Sequence, residues 1–330
     1  GEQMSGPVSI ILVAYHGERW IPRCLDSLRQ ACAGDCEVIL VDNGGNSGLE
    51  AYGELWNVQL IKTPRSLGFA EANNYALVHG GTGGNAVCFL NQDTVSGVGW
   101  LDACVKLLER RSDIGAVMPL ITNYDGTAWD EAFGTCARAA PRLAARLAEG
   151  LQADLSGLPE FVAVPEITAA AMVVRTEALL KAGPFDPIYG SYYEDYDLCR
   201  RIAAAGYQVG ICTRGRVGHF GGSVTNSAAA YRRRARQIYR NRVIYAARWQ
   251  WSSRLGGLLR QVLLRFPRDL ARAALGRSNT PFMSLLQAYG DIACLAPCLL
   301  SPRRDQRQWH AVLATLGWPG GTEPPITEII

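Results

Sequence analysis

The stretch VSIILVAYHG, residues 8–17, decides the fold. Pro7 and Gly17 bound it, and between them aliphatic residues run with almost no polar alternation. Such a strand is buried on both faces, as in a parallel sheet covered by helices. The residues that follow, RWIPRCLDSLRQAC, carry Ile21, Cys24, Leu25 and Leu28 at the spacing of one helical stripe. A second strand reads at 36–45 (CEVILVDNGG), a third at 57–64 (NVQLIKTP) and a fourth at 86–93 (AVCFLNQD). Helical stretches separate them, the last entered through SLGFAEANN from residue 66.

Strands alternating with helices in this way predict a doubly wound α/β sheet. Ligands of such sheets bind beyond the carboxyl ends of the strands. That rule gathers Tyr15, Glu18, Asp42, Asn43 and Asp93 on one rim. Further on, the pattern predicts a helix from Trp100, a strand over 114–121 and a substrate-facing insertion over 125–165. A strand-to-helix passage over 167–183, an acid-rich helix start in YYEDYDLCRR (192–201) and a strand over 207–212 follow. Beyond Tyr231 the pattern is helical. The expected division is a catalytic domain over 1–230, with its nucleotide half about 7–120 and its acceptor half about 121–230, and a helical extension over 231–330.

At 330 residues, with 48% hydrophobic and 19% charged side chains, the chain suits a globular protein and not a disordered one. The net charge is only +3, but between Tyr231 and Arg277 arginines are dense and Asp269 is the only acid. That asymmetry predicts an anionic partner, a membrane surface or a phosphate. Leu258, Leu259, Val262, Leu263 and Phe266 among Arg254, Arg260 and Arg265 fit an amphipathic surface anchor; a helical subdomain packed on the rest, or a homodimer contact, fits them too. Nucleic acid is disfavoured, since no basic platform with stacking aromatics is evident. The stretch 281–300 carries Gln287, Asp291 and Pro297 and would span a membrane poorly. The ten cysteines form no CxxC pair, which points to free thiols and a cytoplasmic setting; no signal peptide is evident.

Three blocks in order, VSIILVAY…VDN, SLGFAEANN…CFLNQDT and GPFDPIYGSYYEDYDLCRRIAAAGY…VGHFGGS, resemble the family 2 inverting glycosyltransferases, in particular their bacterial rhamnosyltransferase-like branch. The resemblance implies a GT-A fold with a mostly parallel central sheet, here with a C-terminal helical extension. It implies a UDP- or dTDP-sugar donor, a divalent cation (Mn2+ or Mg2+), and a glycan, lipid-linked or small-molecule acceptor, with possible placement at the inner face of the plasma membrane. Asp93 matches the last residue of the family's DxD motif, which reads Asn91-Gln92-Asp93 here, so the first carboxylate is missing. By the same match His219 joins the cation, Asp195 is the base that takes the acceptor proton, and Glu194 orients substrate or base. Asp197 is expected to complement the helix dipole or pair with Arg200 or Arg201. Asp42 would accept N3–H of a pyrimidine, with Ala14, Tyr15, Glu18 and Asn43 around it. Gly68, Phe69 and Asn73 match a nucleotide-binding block, Arg65 could reach the diphosphate, and Asn91 and Gln92 border the same site. Ala169-Ala170 stands where the family has Gly-Ala, so acceptor identity does not carry over. Two other readings are a sugar-phosphate nucleotidyltransferase, which wants a basic Gly-rich loop that AYHGERW does not supply, and a non-catalytic nucleotide-sugar-binding protein.

Overall fold

The computed structural model describes residues 8–32, 36–56, 58–80, 83–221, 227–278 and 280–315. Its central sheet runs in the order β3-β2-β1-β4-β8-β6-β9-β5, with β7 also paired to β9. β1 (Val8–Ala14) lies parallel between β2 (Cys36–Asp42) and β4 (Ala86–Asn91), and β3 (Gln59–Lys62) extends the parallel side. Ile10, Ile11, Leu12, Leu40, Val87 and Phe89 are fully buried, which is what strands covered on both faces require. Each such side chain contributes about 1.5–3 kcal/mol by burial. Helix α1 (Ile21–Ala31) turns Ile21, Cys24, Leu25, Leu28 and Ala31 inward, as its stripe predicts. Helices α2 (Leu49–Trp56) and α3 (Phe69–His79) supply the next two crossovers.

The second half of the sheet is mixed. β8 (Ala171–Arg175) runs antiparallel to both β4 and β6 (Ile114–Asn123), whereas β6 and β9 (Gln208–His219) are parallel. Short β5 (Thr94–Ser96) returns antiparallel to the end of β9 and leads into α4 (Trp100–Arg110). The sequence pattern ends β9 near 212, but the strand continues to His219. An irregularity between Pro119 and Leu120 skips from Cys212 to Arg216, and Gly215 meets Trp100 there, where a Cβ would lie 2.6 Å from its Cα. Residues 125–165, expected as a substrate-facing insertion, carry secondary structure of their own. They form α5 (Glu131–Ala137), α6 (Pro141–Ala148) and β7 (Phe161–Ala163), which pairs with β9. α7 (Thr176–Ala182) follows β8.

The chain divides into two compact units, one of Gly1–Phe185 and Leu198–Gly222, the other of Asp186–Asp197 and Ser223–Ile330. The division therefore falls differently from the expected boundary near 230: the segment with Glu194 and Asp195 belongs with the C-terminal helices. The crossing point lies inside α8 (Glu194–Ala204).

The second unit is built on α9 (Ala228–Trp249), whose Tyr239, Val243 and Ala247 pack with Leu258 of α10 (Arg254–Arg260) and with Leu285, Ala288 and Ile292 of α12 (Phe282–Leu300). Between α10 and α12 run a π-helical turn (Gln261–Arg265) and α11 (Phe266–Ala274), and α13 (Pro302–Thr315) follows. Several arginines of this region are internal ties and not a free basic face. Arg236 grips Asp291 with two bonds of 2.8 and 2.6 Å, and Arg242 holds Asp269 at 2.9 Å. Leu258 is buried, and Val262 and Phe266 pack against the same cluster, so only part of the anticipated anchor face points to solvent. By length and composition α12 is the one helix among the described residues that could cross a membrane, contrary to the expectation for 281–300. Its Asp291 is neutralised by Arg236, and it packs on α9.

Candidate active site

The carboxyl ends of β1 and β2 carry a rim of tightly tied polar groups. Asp42 is buried; its Oδ1 accepts from Gly44 N–H (3.1 Å) and Asn46 Nδ2 (2.7 Å), and Lys62 approaches Oδ2 at 3.7 Å. Asn46, which the motif reading passed over, also donates to the Ala14 carbonyl and accepts Gly17 N–H. Gly45 has φ +70°, and a Cβ there would lie 2.3 Å from the His16 ring, so this turn needs glycine twice over. Tyr15 is the exposed aromatic of the rim, and Gln92 fixes its backbone at both ends: Tyr15 N–H donates to Gln92 Oε1 (3.0 Å) and Gln92 Nε2 to Tyr15 O (2.9 Å).

Other residues singled out by sequence play supporting parts here. Ala14 is wholly buried, and Glu18 accepts Ser47 N–H at 2.8 Å. Asn43 is buried and spends its amide on the 63–67 loop, donating to Leu67 O and accepting Leu67 N–H and the Thr63 hydroxyl. Gly68 precedes α3, Phe69 stacks edge-on to Phe185, and buried Asn73 bonds back to Phe69 O. Arg65 is exposed, 3.8 Å from Glu71.

The β4–β5 turn delivers Asp93, and the β5–β9 register sets Thr94 opposite His219. Asp93 Oδ1 therefore lies 3.6 Å from His219 Nε2, while Phe220 N–H donates to Asp93 O. On the other side of the ring, His219 Nδ1 lies 3.1 Å from Asp130 Oδ2. A carboxylate can only accept, so a proton on Nδ1 satisfies Asp130; in that tautomer the Nε2 lone pair faces Asp93, where Asn91 Nδ2 approaches it at 3.2 Å. Burial pushes the Asp130 carboxyl up, but bonds from His219 and Phe133 N–H outweigh it and hold the group below its usual value. Asp130 was not legible in the sequence: it is the N-cap of α5, and nothing in WDEAF separates a cap from a histidine partner.

Among the described residues no group of three His, Cys, Asp or Glu side chains converges on one point. Asp93 and His219 still fit a divalent cation as a two-residue set. Ligands at about 2.0–2.2 Å from one ion lie at most about 4.4 Å apart, and the observed 3.6 Å is inside that limit.

In the second unit, the segment before α8 is strained and firmly held. Tyr192 and Tyr193 both adopt left-handed backbone, φ 72° and 73°, at a cost of about 1–3 kcal/mol each. Fully buried Asn241 of α9 offsets this: the two hydrogens of its Nδ2 are shared among the carbonyls of Tyr189, Ser191 and Tyr192 at 2.7, 2.8 and 2.7 Å. Nothing in RNRVIY marks Asn241 for this role.

The three acids in YYEDYD have separate environments. Asp195 is half-buried and accepts Tyr196 N–H at 2.9 Å. Asp197 is buried, accepting from Trp249 Nε1 (2.8 Å) and Tyr189 Oη (3.2 Å) with Arg248 at 3.5 Å. Further along α8, Arg200 binds Glu166, and Arg201 donates to the Ala182 and Gly183 carbonyls. Glu194 is buried with Oε2 unpartnered; burial, and then the charge of Asp195, push its carboxyl well above the usual range.

A raised folded-state value costs nothing while both states are protonated, and stability falls as pH climbs from about 4.5 towards the raised value. Glu194→Gln, isosteric with the acid, should melt with the native protein at about pH 4.5 and above it at about pH 8. Equal melting temperatures at both pH values would place a charged Glu194 in the fold.

The Glycosyl transferase family 2 model matches residues 9–146, and the Glycosyl transferase family group 2 model matches residues 86–314. An N-acetylglucosaminyl-diphospho-decaprenol L-rhamnosyltransferase of Mycobacterium tuberculosis is 28% identical over 231 residues, 62% of this chain and 73% of that protein. Among solved structures, the Pyrobaculum calidifontis mannosyltransferase PcManGT in complex with GDP-Man and Mn2+ aligns over 94% of this chain and 84% of its own, at 19% identity and TM-score 0.53. S. aureus TarS 1-349 in complex with UDP-GlcNAc aligns over 87% of this chain and 92% of its own, at 14% identity and TM-score 0.51. These likenesses establish a GT-A fold.

Proposed function

This chain belongs to glycosyl transferase family 2, in its rhamnosyltransferase-like branch, and from that premise we propose an inverting transfer of a sugar, rhamnose foremost, from a UDP- or dTDP-sugar to a hydroxyl of a lipid-linked acceptor. The observation that carries the reading is the Asp93–His219–Asp130 line at the β4–β5 turn, which holds one imidazole lone pair towards one carboxylate. Asp93 and His219 would hold a divalent cation. Bound there, the ion supplies charge neutralisation for the departing nucleoside diphosphate. Asp42 accepts N3–H of the pyrimidine, and Tyr15 offers its exposed ring to the base.

Asp195 takes the acceptor proton as the acceptor oxygen forms its bond to the anomeric carbon. The bond from that carbon to the phosphate oxygen breaks on the opposite face, so configuration inverts. Burial, and then the charge of Asp195, push the Glu194 carboxyl up, which makes Asp195 the better choice of base within the pair. The C-terminal helices provide a membrane-surface contact at the cytoplasmic leaflet, in keeping with a polyprenyl-linked acceptor. Exposed leucines among arginines on α10 and the π-turn support this contact.

Calorimetric titration with UDP, dTDP, GDP and ADP, each with and without Mn2+, tests the donor. Metal-dependent binding of UDP or dTDP alone is expected, and binding of purine nucleotides alone would overturn the role of Asp42. Asp130→Asn keeps the helix cap but loses the charge behind His219, so it should weaken Mn2+-dependent nucleotide binding about 10–100-fold. Unchanged metal dependence would remove His219 from the cation site.

A further inference from the structure

A cavity of about 220 Å3 opens beside α9 and α11, lined by Arg242, Arg272, Arg277, Asp269, Ser278 and Thr280 among others. It is smaller than the roughly 300–1,000 Å3 of sites that engulf drug-sized ligands, and its chemistry is that of an anion site. Asp269 is already satisfied, accepting from Tyr239 Oη at 3.1 Å and Arg242 Nη2 at 2.9 Å. Among the described residues, Arg272 and Arg277 have no carboxylate within ion-pair distance, and buried Nε of Arg242 has no partner. Three guanidiniums thus face one carboxylate, with two hydroxyls beside them.

The surroundings say where the anion comes from. α11 ends in a tight turn: Gly276 has φ +66°, and Arg277 N–H bonds back to Arg272 O at 2.7 Å. Between these two cavity arginines the turn lifts Leu275, 67% exposed. Just past Thr280, Met283 is 56% exposed and Phe282 40%. Leu255, Leu259 and Leu263 form an exposed i, i+4, i+8 stripe, and α11 has no fully buried residue, touching the core only through partly buried side chains such as Phe266 and Ala273. Contiguous exposed apolar groups mark an interaction surface. Arginines neighboured in the chain by exposed apolar side chains match a lipid–water interface.

We infer that this cavity seats the phosphate of an anionic membrane lipid while Leu275, Phe282 and Met283 enter the leaflet beside it. The inference rests on the membrane contact proposed above, and not on the donor, the cation or the base.

The test is sedimentation of the full chain with phosphatidylglycerol vesicles, for the native protein, Arg272→Ala/Arg277→Ala and Arg232→Ala/Arg233→Ala. The last pair removes two exposed charges of α9 outside the cavity. Losing two surface charges costs both variants a similar general attraction. The cavity variant should therefore bind about tenfold more weakly than its charge-matched control. Vesicles given the same charge by oleate, which has no phosphate, should not separate the two variants. Equal binding of the two variants to phosphatidylglycerol would reduce the cavity to diffuse charge and overturn the site. Release of the native protein by millimolar inorganic phosphate at constant ionic strength supports it; phosphate bound without effect on vesicle binding overturns the lipid assignment. Absence of vesicle binding with donor turnover intact would end the membrane contact and leave the transferase reading standing.

Discussion

Arg248→Met should destabilise the C-terminal unit by about 3–5 kcal/mol, the cost of leaving buried charges without their counter-ion. The Arg248 side chain is only 7% exposed, and its guanidinium reaches Asp186 at 2.7 Å, Asp197 at 3.5 Å and Asp305. Arg254 shares Asp305 at 2.9 Å. Burial works against the charge on Arg248, but the surrounding carboxylates outweigh it and hold the proton firmly. Burial also pushes the Asp186 carboxyl up, against the pull of Arg248. Without the arginine, acidification neutralises the stranded carboxylates, so the deficit of the variant should shrink as pH falls. Denaturant unfolding of native and variant protein at two pH values reads both effects. A loss below about 1 kcal/mol would mean that methionine packing replaces the ion cluster, as happens at some buried pairs.

Asp195→Asn should lower kcat by about 10²–10⁴-fold, the range of a general base, while nucleotide affinity stays near native. The amide keeps the size of the side chain and can still accept Tyr196 N–H, so the first turn of α8 survives. What is lost is the ability to take a proton. Steady-state rates beside calorimetric nucleotide binding separate the two quantities. A large loss of nucleotide affinity with kcat preserved would assign Asp195 to donor binding and reopen the search for the base.

How much of this was legible in the sequence follows from the range of the interactions. The strands β1, β2 and β4 are short apolar runs bounded by turns, and their alternation with amphipathic helices fixes the parallel half of the sheet. Asp93 and His219 stand out because one follows and the other ends a strand. β8 running antiparallel between β4 and β6 could not be read, because strand direction depends on which neighbour a strand finds. The extension of β9 past 212 was hidden by TRGRVG, where a bulge lets arginines and glycines continue a strand. Asp130, Asn46 and Asn241 were missed for one reason: each acts through partners 29–89 residues away, and their local sequence has a simpler use. The arginines carried two readings, a membrane surface or a packed helical subdomain. As composition they suggested a surface, yet Arg236, Arg240, Arg242 and Arg248 are ties within the second unit.

The seating of Asp186–Asp197 among the C-terminal helices has a consequence for the protein while it is being made. Asp186 leaves the ribosome 62 residues ahead of Arg248, which is itself 57 residues ahead of Asp305. At about 5–20 residues per second, the acidic segment waits several seconds for its clamp to be synthesised. A nascent chain stalled before α9 lacks the carboxamide that holds Tyr192 and Tyr193 in their strained turn. Translation thus carries a built-in delay: β1, β2 and β4 emerge early, and the strained turn before α8 is held only once α9 has followed it.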